Sequence, residues 1–133
     1  MSDKSKLVYI CSPYRTGNVD ENVKRAREYC RLAVEEGFVP VAPHLLYPQF
    51  LNDGDESQRR SGMECGLELL PVCAELWVFD YTIESEGMNA EIDFAEEENI
   101  PVLYMMPDRV FNHDGTSKLK MGLVHREIPM NWL

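Results

Sequence analysis

The stretch that decides the fold is LVYIC at Leu7–Cys11, which runs directly into the polar loop SPYRTGN at 12–18. A short, continuously apolar and β-rich run is typical of a strand that is buried on both faces. LWVF at 76–79 has the same character and ends at Asp80. Because helices cover both faces of a parallel sheet, two such runs favour a parallel sheet at the centre of the domain.

The segments around these strands predict an α/β domain. Apolar residues recur at helical spacing from about Val19 to Gly37, and Ser61 with Glu64 has the spacing of a capping box ahead of an apolar run. Strands and helices alternate, which predicts one Rossmann-like domain over 1–133 with a mostly parallel sheet of four or five strands. The predicted elements are strands at 7–11, 38–41, 76–79 and 101–106 and helices at about 19–37, 59–70 and 86–98, with a long connection at 44–58 and a tail at 107–133.

The composition restricts the classes of function. The chain has 133 residues, and its hydrophobic fraction of 44% is that of one globular domain. The net charge of −10 argues against binding to duplex nucleic acid or to an anionic membrane. No apolar run approaches the roughly 18 residues of a membrane span, and the first residues lack the apolar stretch of a signal peptide, so we expect a cytoplasmic protein.

The cysteine and histidine spacings predict no metal centre. The four cysteines contain no CxxC pair, and the three histidines have no metal-ligand spacing with each other or with cysteine. We therefore expect reduced cysteines in the core, and neither a metal nor an organic cofactor.

Three polar segments are expected to form a ligand site. In open parallel sheets ligands bind beyond the carboxyl ends of the strands, which selects 12–18, 42–58 and 80–91. Arg15 is a candidate for binding a phosphate, and Arg59 and Arg60 either bind a phosphate or solvate the start of a helix. Asp80 either binds a sugar hydroxyl or caps a turn. His44 is either an acid or a hydrogen-bonded loop residue.

Glu91 and Tyr9 are notable for their expected burial. At 100° per residue Glu91 lies on the core side of the third predicted helix together with Met88. A carboxylate there is either functional or a first-turn acid favoured by the helix dipole. Tyr9 lies in the middle of the first strand, where its hydroxyl needs a partner. Ser85 precedes the same helix and is either a simple N-cap or, with free backbone N–H groups, part of an anion site.

Two motifs resemble those of the nucleoside 2-deoxyribosyltransferase superfamily, which includes the 2′-deoxynucleoside 5′-monophosphate N-glycosidases and uncharacterised phage and bacterial relatives. The motifs are LVYICSPYRTG at 7–17 and WVFDYTIESEGMNAEIDFA at 77–95. The likeness extends over about 6–106, and PVAPHLLYPQFLNDGDESQRR at 40–60 is similar to the uncharacterised relatives.

The resemblance implies roles for the matching residues. Glu91 matches the carboxylate that attacks the anomeric carbon, and Tyr9 matches the tyrosine that orients this carboxylate. A carboxylate against the anomeric carbon suits the oxocarbenium-like state through which an N-glycosidic bond breaks. The candidate ligand-binding residues are Arg15, Gly17, Ser85, Gly87, Met88 and His44.

Ser85 favours a nucleotide as the ligand. Six residues before the catalytic glutamate, the nucleoside transferases of this superfamily usually carry an aspartate, whereas the nucleotide hydrolases carry a serine. A carboxylate would repel a 5′-phosphate, whereas a hydroxyl donates to it. We therefore expect hydrolysis of the N-glycosidic bond of a (deoxy)nucleoside 5′-monophosphate. Base exchange between deoxynucleosides is the second hypothesis, and a non-catalytic nucleotide-binding or sensing module is the third.

The group that protonates the leaving base stays open. The hydrolases carry an acidic residue in the helix before the third strand, where this chain offers Glu64, Gly66 and Glu68. The base could also leave without a dedicated acid. The candidate acids are Asp80, Glu68 and His44.

The resemblance also implies the kind of partners. The ligand is a small nucleotide or nucleoside. Related enzymes are homo-oligomers whose neighbours complete each site, so we expect at least a homodimer. The tail at 107–133 is the candidate for that contact.

Overall fold

A computed structural model describes residues 6–83 and 85–132, so residues 1–5, Glu84 and Leu133 of the predicted domain lie outside the described residues. None of the helices in these ranges is long and apolar enough to cross a membrane. The strands are β1 (Leu7–Cys11), β2 (Val39–Val41), β3 (Glu75–Val78), β4 (Val102–Phe111) and β5 (Ser117–His125). The α-helices are α1 (Val19–Glu35), α2 (Pro43–Leu46), α3 (Glu56–Leu69) and α4 (Glu86–Glu97), with 3₁₀ turns at Tyr47–Gln49, Leu70–Val72 and Met130–Trp132.

The five strands form one sheet in the order β2-β1-β3-β4-β5. The first four strands in that order are parallel, and β5 pairs with β4 in the antiparallel sense. Tyr9 in β1 lies opposite Val41 in β2 and Leu76 in β3. The prediction of a Rossmann-like α/β domain with a mostly parallel sheet is confirmed, with five strands.

Alternate residues of the central strands build two separate cores. Val8 and Ile10 point to the face that α1 covers. Tyr9 and Cys11 point to the opposite face, where α3 and α4 pack. Because both faces are covered, the side chains of LVYIC have to be apolar on both, apart from the one tyrosine hydroxyl.

The tail at 107–133 forms structure that the sequence did not predict. β4 continues to Phe111, well beyond its predicted end, and pairs with β5 as a hairpin. The turn is closed by a hydrogen bond from the backbone N–H of Asn112 to the carbonyl of Thr116 at 2.7 Å, with Gly115 at φ +88. Residues 108–116, at the end of β4 and in the turn, are all exposed, so this stretch lacks the alternation of a half-buried strand, whereas Leu119 of β5 packs in the core on the α1 face.

The connection predicted at 44–58 is partly helical, and α3 begins at Glu56 rather than near residue 59. The carboxylate of Asp55 accepts a hydrogen bond from the backbone N–H of Gln58 at 3.1 Å and caps the helix. The helix start predicted from Ser61 is therefore wrong. The physical reason is that Asp55, which lies six residues before Ser61, is an equally good N-cap.

Candidate active site

An open pocket lies at the carboxyl ends of β1 and β2, against α3 and the start of α4. The three polar segments expected to form a site all contribute to its lining. One side of α3 forms a fourth part of the wall and includes Arg59, one of the phosphate candidates.

Glu91 and Tyr9 meet in the wall of this pocket. Tyr9 is fully buried in β1, and its hydroxyl donates a hydrogen bond to Oε2 of Glu91, on α4. Glu91 itself is half-buried and lines the pocket. The strand hydroxyl and the core-side carboxylate, each of which needed a partner, are therefore each other's partner.

The protein environment raises the affinity of Glu91 for a proton. Burial raises the pKa of Glu91 to about 7, although hydrogen bonds from Tyr9 and from the Cys11 thiol act in the opposite direction. Burial and the neighbouring Glu91 carboxylate raise the pKa of Tyr9 well above its usual value. Tyr9 thus remains a donor, while Glu91 can gain or lose a proton close to neutral pH.

Gly66 of α3 makes room for the Tyr9 hydroxyl. A Cβ atom at position 66 would lie 2.8 Å from that hydroxyl oxygen and 3.4 Å from Cβ of Pro43. A side chain at 66 would therefore push away the group that holds Glu91. The position at which we considered an acidic residue is a glycine because the tyrosine hydroxyl occupies the space.

Ser12 and His44 form a second hydrogen-bonded pair in the pocket lining. Ser12 follows β1 directly, and its Oγ lies 2.8 Å from Nε2 of His44 in α2. Burial lowers the pKa of His44 to about 4, so the ring is neutral at physiological pH. A neutral imidazole offers one N–H donor and one acceptor.

Arg15 and Arg59 bring two positive charges to the pocket. Arg15 lies in the loop after β1 and Arg59 near the start of α3. Both face the carboxylate of Asp53, with Arg15 Nε 3.7 Å from Oδ2 and Arg59 Nε 3.9 Å from Oδ1. The Arg59 side chain is only 11% exposed, so its charge is directed into a partly enclosed space.

The start of α4 adds Ser85, Gly87 and Met88 to the lining. Oγ of Ser85 accepts a hydrogen bond from the backbone N–H of Met88 at 3.3 Å and caps the helix. A hydroxyl that accepts can still donate its own hydrogen, so the cap leaves Ser85 able to contact a ligand. The cap and the ligand contact considered for Ser85 are thus compatible.

The structure does not bring every candidate to this pocket. Asp80 lines a second cavity on the α1 face of the sheet, where its Oδ2 accepts a hydrogen bond from the Tyr29 hydroxyl. Gly17 is exposed at φ +87 ahead of α1 and does not line the pocket. Glu64 and Glu68 are exposed on α3 and lie outside the lining as well.

The cysteines are free thiols, and they are not all core residues as expected. Cys11 and Cys73 are buried, whereas Cys65 is exposed on α3. Residues 6–83 and 85–132 contain no group of three or more histidine, cysteine, aspartate or glutamate side chains that could hold a metal ion.

A comparison with protein families identifies the chain. Residues 6–105 match the family described as "Domain of unknown function (DUF7768)". The chain belongs to this family. The match covers the sheet from β1 into β4 and includes every pocket residue described above.

The fold of this DUF7768 member is similar to that of a 2-deoxyribosyltransferase from Bacillus psychrosaccharolyticus, described as a suitable biocatalyst for the synthesis of antiviral and antitumoral nucleosides. The two share 16% sequence identity with a TM-score of 0.55, over 72% of this chain and 69% of the other. The deoxyribosyltransferase-like fold inferred from the sequence motifs is therefore confirmed. No curated protein matches the sequence.

Among the pocket residues described above, sequence reasoning did not single out Ser12 or Asp53, and it considered Gly66 only as a position for an acid. Ser12 and Asp53 lie in the segments that the strand-end rule selected, so the rule located them without distinguishing them from their neighbours. Gly66 has no local signal, because its importance depends on a hydroxyl that comes from another element.

Proposed function

We propose that the protein cleaves the N-glycosidic bond of a (deoxy)nucleoside 5′-monophosphate and releases the base and the sugar phosphate. The observation that carries the proposal is the half-buried carboxylate of Glu91, held by Tyr9, in a pocket that also contains two arginines. The deoxyribosyltransferase-like fold supports the same class of chemistry by analogy.

Glu91 is the proposed nucleophile. One carboxylate oxygen attacks the anomeric carbon while the C–N bond breaks, and the electron pair of that bond leaves with the base, which takes up a proton. This leaves the sugar esterified to Glu91. Water then attacks the anomeric carbon and loses a proton, which releases the sugar phosphate and regenerates the carboxylate.

The charge state of Glu91 sets the pH dependence of this step. Only the ionised carboxylate can attack, and burial raises its pKa to about 7. We therefore expect the rate to rise as the pH increases through about 7. Tyr9 stays protonated over this range because its pKa is raised well above the usual value, so it continues to hold the carboxylate.

Arg15, Arg59 and the start of α4 form the proposed phosphate end of the pocket. Guanidinium groups bind phosphate through paired N–H donors, and a helix start favours an anion. Ser85 adds a hydroxyl at the cap of α4. A 5′-phosphate there would be held at a distance from the reacting bond, so its binding energy would serve to place the anomeric carbon against Glu91.

His44 is the proposed donor to the leaving base. Of the three acids considered, Asp80, Glu68 and His44, only His44 lines the pocket. Its lowered pKa leaves the ring neutral at physiological pH, so His44 can donate one N–H hydrogen bond to the base rather than transfer an imidazolium proton. Replacing His44 by Gln should slow the release of a natural base, whereas a base analogue that leaves as a stable anion should be released at an almost unchanged rate.

Base exchange is the second candidate reaction, and the fold similarity to a 2-deoxyribosyltransferase favours it. A second base would then accept the sugar from Glu91 in place of water. A non-catalytic nucleotide-binding module is the third candidate. It would keep Arg15 and Ser85 but would not require the Tyr9–Glu91 contact.

We also propose that the chain works as a homo-oligomer that uses its tail. Phe111, Leu123 and Met130 in this region are largely exposed apolar side chains. We infer that these apolar side chains take part in an association surface. Sedimentation of the intact chain, compared with the Leu123→Lys variant, tests this expectation.

One experiment separates the three candidate functions. The protein is incubated with a panel of nucleoside monophosphates and the matching nucleosides, with and without a second base, and free base and new nucleoside are followed by chromatography. Base release from monophosphates that needs no second base supports hydrolysis. Product that forms only with the second base supports exchange. Binding without any product, equal in the wild type and in Glu91→Gln, supports the binding module and contradicts the proposed reaction.

A further inference from the structure

Asp53 is the residue of the pocket whose charge opposes the proposed ligand. It lies in the segment between α2 and α3 and lines the same pocket as Arg15 and Arg59. Its two carboxylate oxygens point to different partners, Oδ2 to Arg15 at 3.7 Å and Oδ1 to Arg59 at 3.9 Å. The carboxylate therefore occupies the position between two guanidinium groups that an anionic ligand would take.

The two contacts are long for ion pairs. Charge-assisted N–H to O contacts are usually about 2.7–2.9 Å, and the bidentate form uses two parallel N–H donors. Here the guanidinium atom closest to Asp53 is Nε in each arginine, and Asp53 is the one side-chain partner that the described residues provide to either guanidinium. Each guanidinium carries five N–H donors, so most of them remain for a ligand.

The positions of the three side chains differ in exposure. The Arg59 side chain is 11% exposed, Asp53 30% and Arg15 49%. Arg59 is thus the fixed part of the cluster, and the other two side chains have room to move. A phosphate that binds Arg59 can displace the Asp53 carboxylate towards solvent without unfolding the surrounding backbone.

We propose that Asp53 is a specificity-determining residue that competes with phosphate for Arg15 and Arg59, so that the pocket retains a phosphate only when an attached nucleoside fills the rest of the pocket. This inference rests on the proposed function, in which these arginines hold a 5′-phosphate. A free phosphate ion gains only the arginine contacts and has to displace Asp53 for them. A nucleotide also gains the contacts of its sugar and base.

The same competition favours turnover. After the base has left, the sugar phosphate has lost the contacts of the base but still has to compete with Asp53. Asp53 therefore assists release of the product as well as exclusion of inorganic phosphate.

The test compares Asp53→Asn with the wild type and with Asp93→Asn, an exposed residue of α4 outside the pocket whose substitution changes the net charge equally. The probes are inorganic phosphate, deoxyribose 5-phosphate and deoxyribose, with binding measured by calorimetry on the intact chain. We expect Asp53→Asn to bind both phosphate probes at least about fivefold more tightly, because the carboxylate that competes for the two guanidinium groups, 3.7 and 3.9 Å away, loses its charge. Asp93→Asn should behave as the wild type, and deoxyribose binding should be the same in all three proteins.

A second readout is kinetic. With a monophosphate substrate, Asp53→Asn should lower KM and the inhibition constant of inorganic phosphate without raising kcat, since it strengthens binding of substrate and product alike. Asp53→Ala should reproduce both effects, which excludes a specific effect of the new amide.

Unchanged or weaker phosphate binding in both Asp53 variants would overturn the inference, because Asp53 would then hold the arginines in place rather than compete with the ligand. The same conclusion follows if phosphate binds to none of the proteins. If the variants bind phosphate more tightly but no nucleotide releases its base, the proposed reaction fails and the role of Asp53 stands. If nucleotides are hydrolysed and the variants show no gain in phosphate binding, only the inference about Asp53 fails.

Discussion

Two tyrosine–carboxylate pairs lie on opposite faces of the sheet. On one face the hydroxyl of Tyr9 donates to Glu91, and on the other the hydroxyl of Tyr29 donates to Asp80. Their surroundings differ. Both carboxylates line a cavity that contains two arginines, but Glu91 lies on a helix, whereas Asp80 follows β3 in a left-handed backbone conformation at φ 54.

The comparison shows that a hydrogen bond from a tyrosine does not by itself make a carboxylate a candidate catalytic group. The surroundings of the carboxylate decide this. Burial raises the pKa of Glu91 to about 7, which prepares it for a change of charge at neutral pH. Tyr29 stacks on Phe79 with ring centroids 4.0 Å apart, and its hydroxyl connects α1 to the end of β3 through Asp80. We infer that the first pair serves chemistry and that the second pair stabilises the fold.

The strongest test of the proposed difference between the two pairs removes the charge of Glu91 in one variant and that of Asp80 in another. Glu91→Gln should abolish base release, with a loss on the order of 10³ or more, because the proposed nucleophile is removed while the shape of the side chain is nearly kept. Asp80→Asn should keep most of the activity. Base release is measured by chromatography for both variants on the same substrate. A loss in Asp80→Asn as large as that in Glu91→Gln would make both pairs catalytic.

The stability of the Glu91 site should depend on pH. Folding raises the pKa of Glu91 from about 4.5 to about 7, so the folded protein holds this proton more tightly than the unfolded chain. The free energy of unfolding is therefore unaffected by this group below about pH 4.5, and it falls as the pH rises from there through 7. Glu91→Gln removes this loss, so the variant should exceed the wild type in free energy of unfolding by up to roughly 3 kcal/mol at pH 8. Urea unfolding at pH 5 and pH 8 measures the difference. An equal difference at both pH values would show that Glu91 is not the group that titrates.

Removing each hydroxyl separates the roles of the two tyrosines. Tyr9→Phe should lower kcat about tenfold to a hundredfold, since a hydrogen bond to a charged group contributes about 1.5–3 kcal/mol. It should also raise the pH at which the rate increases, because one hydrogen bond that favours the ionised Glu91 is lost. Tyr29→Phe should instead lower the melting temperature and leave the pH profile unchanged. A shifted profile in Tyr29→Phe would place the second pair in the mechanism.

The smallest expected effect concerns the packing around Tyr9. Gly66→Ala places a Cβ 2.8 Å from the hydroxyl oxygen, which has to move by a few tenths of an ångström. Misplacing the group that orients a nucleophile should lower kcat by about tenfold. The matched control is the double variant Gly66→Ala with Tyr9→Phe, which should have the rate of Tyr9→Phe alone because the clash disappears with the oxygen. Additive losses in the double variant would mean that Gly66 acts through another neighbour.

The fold was predictable from the sequence where the signal was local. LVYIC forms β1 as predicted, because a continuous run of apolar residues is typical of a strand that is covered on both faces. The β4–β5 hairpin was not predictable, because residues 108–116 are exposed and show no alternation of apolar side chains, although Leu119 of β5 is buried in the core. The start of α3 was placed too late because Asp55 and Ser61 are both acceptable caps, and only the packed chain decides between them.

By itself, the sequence determined the order of the elements and the residue types at the strand ends, because apolar runs, helical spacing and turn residues act over a few neighbouring positions. It also placed Glu91 on the inner side of its helix. Only the tertiary structure decided the partners Tyr29 for Asp80 and Asp53 for the two arginines, whereas the pairing of Tyr9 with Glu91 was implied beforehand through the family resemblance alone. The physical reason is that a hydrogen bond or ion pair requires two groups within about 3–4 Å, and separations that small between distant segments arise only when the layers pack.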